Sequence, residues 1–438
     1  MDPSNGSTRL GETLSPFSKH TLERDTHAFC QFITHLKEVD GHHGTVILVQ
    51  VQNECGLVGD SRDRHPDSEH LFKAPVPESL LKHILSQYDN FTPFFRQNYP
   101  HLGQVNLDSA GAWGSVFGNS LNTDELFMAY HFAGYLEHMA SAGKAIHDIP
   151  MFANAWLRAQ LGHDSGPVPD TLFTGGHKPG EYPSGGPIET VFDIWRFRAP
   201  SLDFLAPDIY HSQYEDLCNA WQHQKQPFFI PEQRHDLYGA IRLWYAVGTH
   251  GAMGVSPFGI DSDHPSTSPF TKHYALLRDV SDEILKARTA GRRTFGFFFD
   301  EYAEGTIDPS PPSWKTSIEG WDVTVEREPC FGHPGEAGFG LIIHLHGNRF
   351  LLVGQGFTVK FKSNDPLSSF SGILEFLEKE VVNQTTGEMR TRRILNGDEA
   401  TGNCFKMPSS DVNTRGNGQV LIFVAAGTSI AEAEPFCV

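Results

Sequence analysis

Two glutamates carry the strongest chemical signal in this chain. Glu54 closes the segment TVILVQVQNE, whose run Val46–Val51 is apolar on both faces and predicts a buried parallel strand. Glu232 closes PFFIPE (Pro227–Glu232) in the same way. A carboxylate at the end of a buried strand is costly to desolvate unless it has a partner or a task. Two in equivalent places on parallel strands suggest a pair that divides the work, one as acid/base and one as nucleophile. Cleavage of a glycosidic bond with retention needs such a pair about 5–5.5 Å apart. Asn53, just before Glu54, can donate a hydrogen bond to a substrate hydroxyl. The competing reading is a strand-end glutamate in a salt bridge, or two unrelated surface acids.

Other candidates are weaker. His42 and His43 follow a helix end and read as solvated. His344 and His346 alternate on one strand face, but a metal site needs a third ligand and none is nearby, so a surface face is the better reading. DSRDRHPD (Asp60–Asp67) has the look of a calcium loop without the ligand spacing of one. There is no P-loop, no GxGxxG after a strand and no GxSxG elbow. The expectation is an activity with no metal and no organic cofactor.

The elements that must position these residues alternate along the first two thirds of the chain. Apolar residues at Leu22, Phe29, Phe32, Ile33 and Leu36 predict a helix over Ser18–Val39. Further helices are expected over Glu78–Tyr88, Asp124–Lys144 (capped by Asn122 or Thr123), Ile188–Arg198, Tyr214–His223, His235–Val247 and Pro269–Thr289. Between them lie strand patterns at Ile149–Trp156, Phe204–Tyr210, Pro227–Glu232 and Gly251–Asp261, each ending on polar residues. About five strands alternating with helices mean a parallel sheet with helical cover. In a (β/α)-barrel those polar strand ends form the face where chemistry sits. The Gly/Pro-rich loop Gly175–Pro187 is long enough to suggest function.

Near Thr294 the period changes from helical to two-residue alternation, as in FGFFFD, WDVTVERE, GLIIHLHGNRFLLVG, FTVKFK and QVLIFVAAG. Gly347-Asn348 and the NQTTG segment read as hairpin turns. The expected organisation is therefore residues 1–293 as a partial (β/α)-barrel and 294–438 as a mostly antiparallel β-sandwich, with at most one short helix near Leu374–Lys379.

The chain has 438 residues and a net charge of −19, which argues against a phosphate-backbone partner and fits a soluble protein that handles neutral ligands. Trp and Tyr, which stack on sugar faces, contribute to a 12% aromatic content, although core packing accounts for most such residues. The six cysteines are scattered with no CxxC and read as free thiols. No apolar run reaches membrane-spanning length, and the polar start MDPSNGSTRLGE has no signal-peptide core.

ILVQVQNE followed by DSRDRHPDSEHLF resembles the acid/base strand and next loop of glycoside hydrolase family 35, the β-galactosidase family of the large (β/α)₈ glycosidase clan. TDELFMAYHFAGYLEHMASAGKA, PMFANAWL, YPSGGPIETVFDIWRFRAPSLDFLAPDIY and FFIPE continue the likeness in order. GFGLIIHLHGNRFLLVGQGFTVKF and RRILNGDEATG resemble the uncharacterised C-terminal β-domain of microbial and fungal members. The resemblance implies a retaining β-galactosidase acting on terminal β-galactosides. It implies Glu54 as acid/base, Glu232 as nucleophile, Asn53 on the sugar 2-hydroxyl, Tyr210 bonded to the nucleophile, and Asn154 and Trp156 as subsite walls. It also implies a (β/α)₈ TIM barrel lacking its first three βα units, so that strands 4 to 8 remain. The segment STRLGETLSPFS resembles the tail of the third βα loop. An inactive remnant or a non-catalytic carbohydrate-binding protein is the alternative.

Overall fold

The computed structural model describes residues 13–104, 111–159, 176–210, 213–300, 313–327, 337–409 and 425–438. By its internal contacts the chain forms two compact units, Met1–Glu232 and Gln233–Val438.

The first unit is mixed α/β. Helix α1 (Lys19–Asp40) starts where the Ser18 hydroxyl accepts the Thr21 N–H at 3.2 Å, and it buries the stripe Phe29, Ile33 and Leu36. That stripe packs against α6 (Leu121–Ile146), which is capped by Ser120 rather than by Asn122 or Thr123. Strand β1 (Val49–Gln50) pairs in parallel with β2 (Met151–Trp156), and β2 with β3 (Phe204–Asp208), giving the order β1-β2-β3. Between β1 and β2 run α2 (Pro66–Lys73), α3 (Glu78–Gln87), α4 (Pro93–Asn98), α5 (Trp113–Phe117) and α6. After β2 come α7 (Phe192–Arg198) before β3, and α8 (Tyr214–Ala220) before β4 (Ile230–Gln233). The parallel strands follow one another in chain order with helices between them, as the alternation predicts.

One face of this sheet is aromatic. Phe152 and Phe204 are register partners and stack with ring centroids 5.1 Å apart, and Phe229 stands edge-on to Phe152 at 5.5 Å. Each ring so buried contributes about 1.5–3 kcal/mol.

The strands are shorter than the sequence pattern suggests. Of the expected strand Val46–Val51, Val49–Gln50 is strand, and the Val51 N–H donates to the Phe152 carbonyl at 3.0 Å. Val46 and Ile47 are 38% and 70% exposed, because among the described residues β1 has a partner on one side only. The Asp40 carboxylate instead accepts the N–H groups of Thr45 (3.1 Å) and Val46 (2.7 Å). The five expected strands are all present, but they fall in a three-stranded sheet β1-β2-β3 and a two-stranded sheet of Ile230–Gln233 with Val255–Pro257, and the described strands do not close into an eight-stranded ring. Residues 7–12 of the STRLGETLSPFS segment lie outside the described residues.

The second unit joins two helices to two antiparallel sheets. Its helices are α9 (Leu237–His250), capped by the Asp236 carboxylate, and α10 (Phe270–Thr289). Short β5 (Val255–Pro257) lies between them. The strands of the sheets are β6 (Thr294–Phe299), β7 (Trp314–Ile318), β8 (Trp321–Arg327), β9 (Gly338–His346), β10 (Arg349–Gln355), β11 (Phe357–Ser363), β12 (Ser371–Asn383), β13 (Glu388–Ile394), β14 (Ala400–Thr401), β15 (Cys404–Met407) and β16 (Ile430–Cys437). The six-stranded sheet has the order β13-β12-β16-β10-β9-β6 and the five-stranded sheet β14-β15-β11-β8-β7. Aromatic pairs join the two inner faces: Phe297–Phe357 at 4.8 Å, Phe350–Phe361 at 4.7 Å and Phe376–Phe405 at 5.2 Å. Gly347 takes φ +53° at the first corner of the β9–β10 hairpin, which is why the Gly-Asn pair marks that turn. Leu374–Lys379 lies within strand β12, not in a short helix. Residues 419–424 of the QVLIFVAAG pattern lie outside the described residues.

The division after Glu232 falls earlier than the change of period at Thr294. The reason is close packing of α9 on β6. A Cβ on Gly296 would meet the Trp244 carbonyl oxygen at 1.8 Å, and the Thr249 and Thr294 hydroxyls bond across to Gly296 O (2.7 Å) and Gly248 O (2.6 Å). Helices that the periodicity groups with the barrel thus cohere with the β-sheets.

Candidate active site

The site is built at the C-terminal ends of β1, β2, β3 and β4. Asn154, on β2 and completely buried, is its hub. Its Oδ1 accepts the backbone N–H of Glu54 at 2.8 Å, and its Nδ2 donates to Asn53 Oδ1 at 3.0 Å and to Asp208 Oδ2 at 2.7 Å. Glu54 has φ +43°, a left-handed conformation that costs a non-glycine residue about 1 kcal/mol or more. The bond from Asn154 offsets that cost and turns the chain out of β1. Just beyond, Leu57 and Ser184 bond through both backbone pairs (2.9 and 2.8 Å). Gly56 fits there because a Cβ would meet Pro183 at 2.5 Å.

Glu232 is set on the other side. The Ile209 N–H donates to the Glu232 carbonyl at 2.9 Å, which aligns the end of β3 with β4. The Tyr210 hydroxyl donates to Glu232 Oε2 at 2.9 Å. Oxygens of Glu54, Asp208 and Glu232 then lie within 4.8 Å of one another. Among the described residues no other three His, Cys, Asp or Glu side chains converge so closely.

The electrostatics follow from burial and from this crowding. Burial raises the Glu54 carboxyl above the usual range; the hydrogen bond with Asp208 opposes this, and the charge of Glu232 adds to it. Asp208, 2% exposed, is held well above its ordinary value by burial first, then by Glu232 and Glu54. Burial and the Glu232 charge push the Tyr210 phenol up as well, so it stays a donor.

Beside Glu54 opens a cleft of about 420 Å³, lined among others by Leu14, Asp25, Gln52, Asn53, Phe132, Tyr135 and Trp156. In its wall the Tyr135 hydroxyl donates to Asp25 Oδ2 at 2.6 Å.

The structure brings together Asn53, Glu54, Asn154, Tyr210 and Glu232, and places Trp156 in the cleft wall. Asn154 lies behind the carboxylates with all its amide groups committed, so it supports the site rather than walling a subsite. The sequence offers Asp208, which ends FLAPD, only as one polar strand end among several, with no role assigned to it. Sequence reasoning missed Asp25 and Tyr135, a pairing between two helices that no local pattern signals.

The remaining motifs resolve into structural roles. In DSRDRHPD, arginines occupy the place of a cation: Asp124 accepts from Ser61 Oγ (2.7 Å), Arg62 Nε (3.0 Å) and Arg64 Nη2 (3.0 Å). His344 Nε2 lies 3.0 Å from the Gly347 carbonyl. The five described cysteines are free thiols. Among the described residues no helix is long and apolar enough to cross a membrane.

Residues 270–406 match a family described as a domain of unknown function (DUF5597). No curated protein matches the chain. Solved structures with some likeness include the catalytic domain of a β-amylase from Paenibacillus polymyxa, at 12% identity and a TM-score of 0.32, covering 58% of this chain and 66% of that one. A glycoside hydrolase family 44 xyloglucanase from the same organism, with xyloglucan, shows 10% identity and a TM-score of 0.29, covering 71% and 61%. These neighbours are glycoside hydrolases, and the chain spans less than two thirds of the length of each.

Proposed function

We propose that the chain is a retaining glycoside hydrolase that acts on terminal β-galactosides of oligo- or polysaccharides. The observation that carries this reading is the approach of Glu54 and Glu232 to within 4.8 Å, which matches the separation of about 5–5.5 Å used for double displacement. The galactoside class comes from the family 35 resemblance. By the same resemblance the catalytic part spans residues 1–293 and the β-sandwich 294–438.

In this mechanism a Glu232 oxygen attacks the anomeric carbon while the glycosidic C–O bond breaks and Glu54 gives its proton to the leaving oxygen. Water then attacks the glycosyl ester, Glu54 takes the water proton, and Glu232 departs as carboxylate. The raised Glu54 carboxyl suits the first step, since it must hold a proton near neutral pH. Tyr210 orients Glu232. Asn53 offers its Nδ2 to the sugar 2-hydroxyl, and Trp156 presents a face for stacking. No metal or organic cofactor takes part.

The test is hydrolysis of a chromogenic β-galactoside by the purified chain, with Glu232→Gln as control. Turnover that the control abolishes, with the β-anomer as first product by NMR, supports the reading. An α-anomer as first product sinks it. One observation favours a second reading, an inactive remnant or a non-catalytic carbohydrate-binding protein: among the described residues β1 is an edge strand, with Ile47 exposed. Under that reading the chain binds galactose in calorimetry without turnover.

A further inference from the structure

We infer that Asp208 is a resident carboxylic acid that donates its proton to Glu54 and thereby positions the acid/base; only its kinetic consequence rests on the double-displacement reading above.

Three carboxyl groups converge here, and the groups around Asp208 supply no cation. They are Glu54 from the end of β1, Glu232 from β4, Asn154 from β2 and Tyr210 just past its own strand. Among the described residues no Lys, Arg or His forms an ion pair with any of the three acids. Full ionisation would place three negative charges within 4.8 Å in a largely buried site, so protons must remain. The hydrogen bonding shows which acid holds one permanently. Asp208 Oδ2 accepts from Asn154 at 2.7 Å, but its Oδ1 is buried and receives no donor. An unmet carboxylate oxygen in such a place is costly, whereas a protonated carboxyl becomes a donor. Glu54 is the acceptor with which it pairs.

The charge balance through the proposed cycle supports this assignment. In the free enzyme Glu232 is ionised, and Glu54 and Asp208 each hold a proton. When the Glu232–carbon bond forms and the glycosidic bond breaks, the Glu54 proton leaves with the aglycone. The single negative charge then sits on Glu54, where the Asp208 proton stabilises it. Water attack returns a proton to Glu54 and the charge to Glu232. Asp208 gains and loses nothing, so it is a positioning residue.

The test uses the full chain labelled with ¹³C at the aspartate side-chain carboxyls, observed by NMR from pH 4 to 9. The expected result is one aspartate carboxyl still protonated at pH 7 and missing from Asp208→Asn. Should that variant fail to fold, Asp208→Glu removes the same labelled signal and assigns it. Ionisation of every aspartate by pH 7, or a protonated signal that persists in the variant, overturns the inference. This measurement needs no turnover, so it stands apart from the galactosidase reading. Where turnover is present, Asp208→Asn should leave the alkaline limb of kcat/KM in place, because an amide N–H also donates to Glu54. If Asp208 were ionised, neutralising it would lower that limb by about one unit or more.

Discussion

The Tyr210 hydroxyl donates to Oε2 of Glu232 at 2.9 Å, joining the residue just past β3 to the end of the next strand. It is the described hydrogen bond that holds the Glu232 side chain toward Glu54. Tyr210→Phe removes this donor and keeps the ring. Hydrogen bonds to charged groups are worth about 1.5–3 kcal/mol, so kcat should fall roughly 10- to 100-fold with a smaller change in KM. Steady-state kinetics beside a thermal melt check this: unchanged kcat, or a collapse of the melt, contradicts the assigned role.

Asn154→Ala should be more damaging to the fold. It strands the Glu54 N–H and Asp208 Oδ2, removes a donor to Asn53, and leaves the left-handed turn at Glu54 unsupported. Stability should drop by about 3 kcal/mol or more. Urea unfolding measures it, and a loss under about 1 kcal/mol would mean that water replaces the hub.

Glu125, on α6 and 1% exposed, accepts from Tyr182 (2.7 Å) and Thr190 (3.0 Å), yet burial pushes its carboxyl from 4.5 up to about 7. The native chain therefore binds more protons than the unfolded chain between those two values. Its contribution is fully present below the unfolded value and lost as pH rises through about 7. Stability should decline by about 3 kcal/mol from pH 4.5 to 8 on this account, and Glu125→Gln should flatten that slope. Denaturant melts across the range decide it; parallel slopes in both proteins refute it.

Much of the site was legible locally. Glu54, Glu232 and Tyr210 end apolar segments, and a polar residue at the end of a buried strand signals chemistry because burial without function is costly. The helices α1, α3, α6, α9 and α10 were legible in the sequence, α1 from its 3.6-residue stripe, and the hairpin at Gly347-Asn348 from its turn chemistry. Such features depend on residues a few positions apart. What the tertiary structure alone decided depends on neighbours far along the chain. Pairing on one side limits the Val46–Val51 run to two residues of strand, since a strand extends only where another backbone meets it. The grouping of α9 with β6 comes from the glycine contact at Gly296, which no periodicity encodes. Asp208 looked like one strand-end acid among several. Its proton-holding character arises only when folding buries it within 4.8 Å of two other carboxylates, 154 residues from one and 24 from the other, with Asn154 bonded to one of its oxygens.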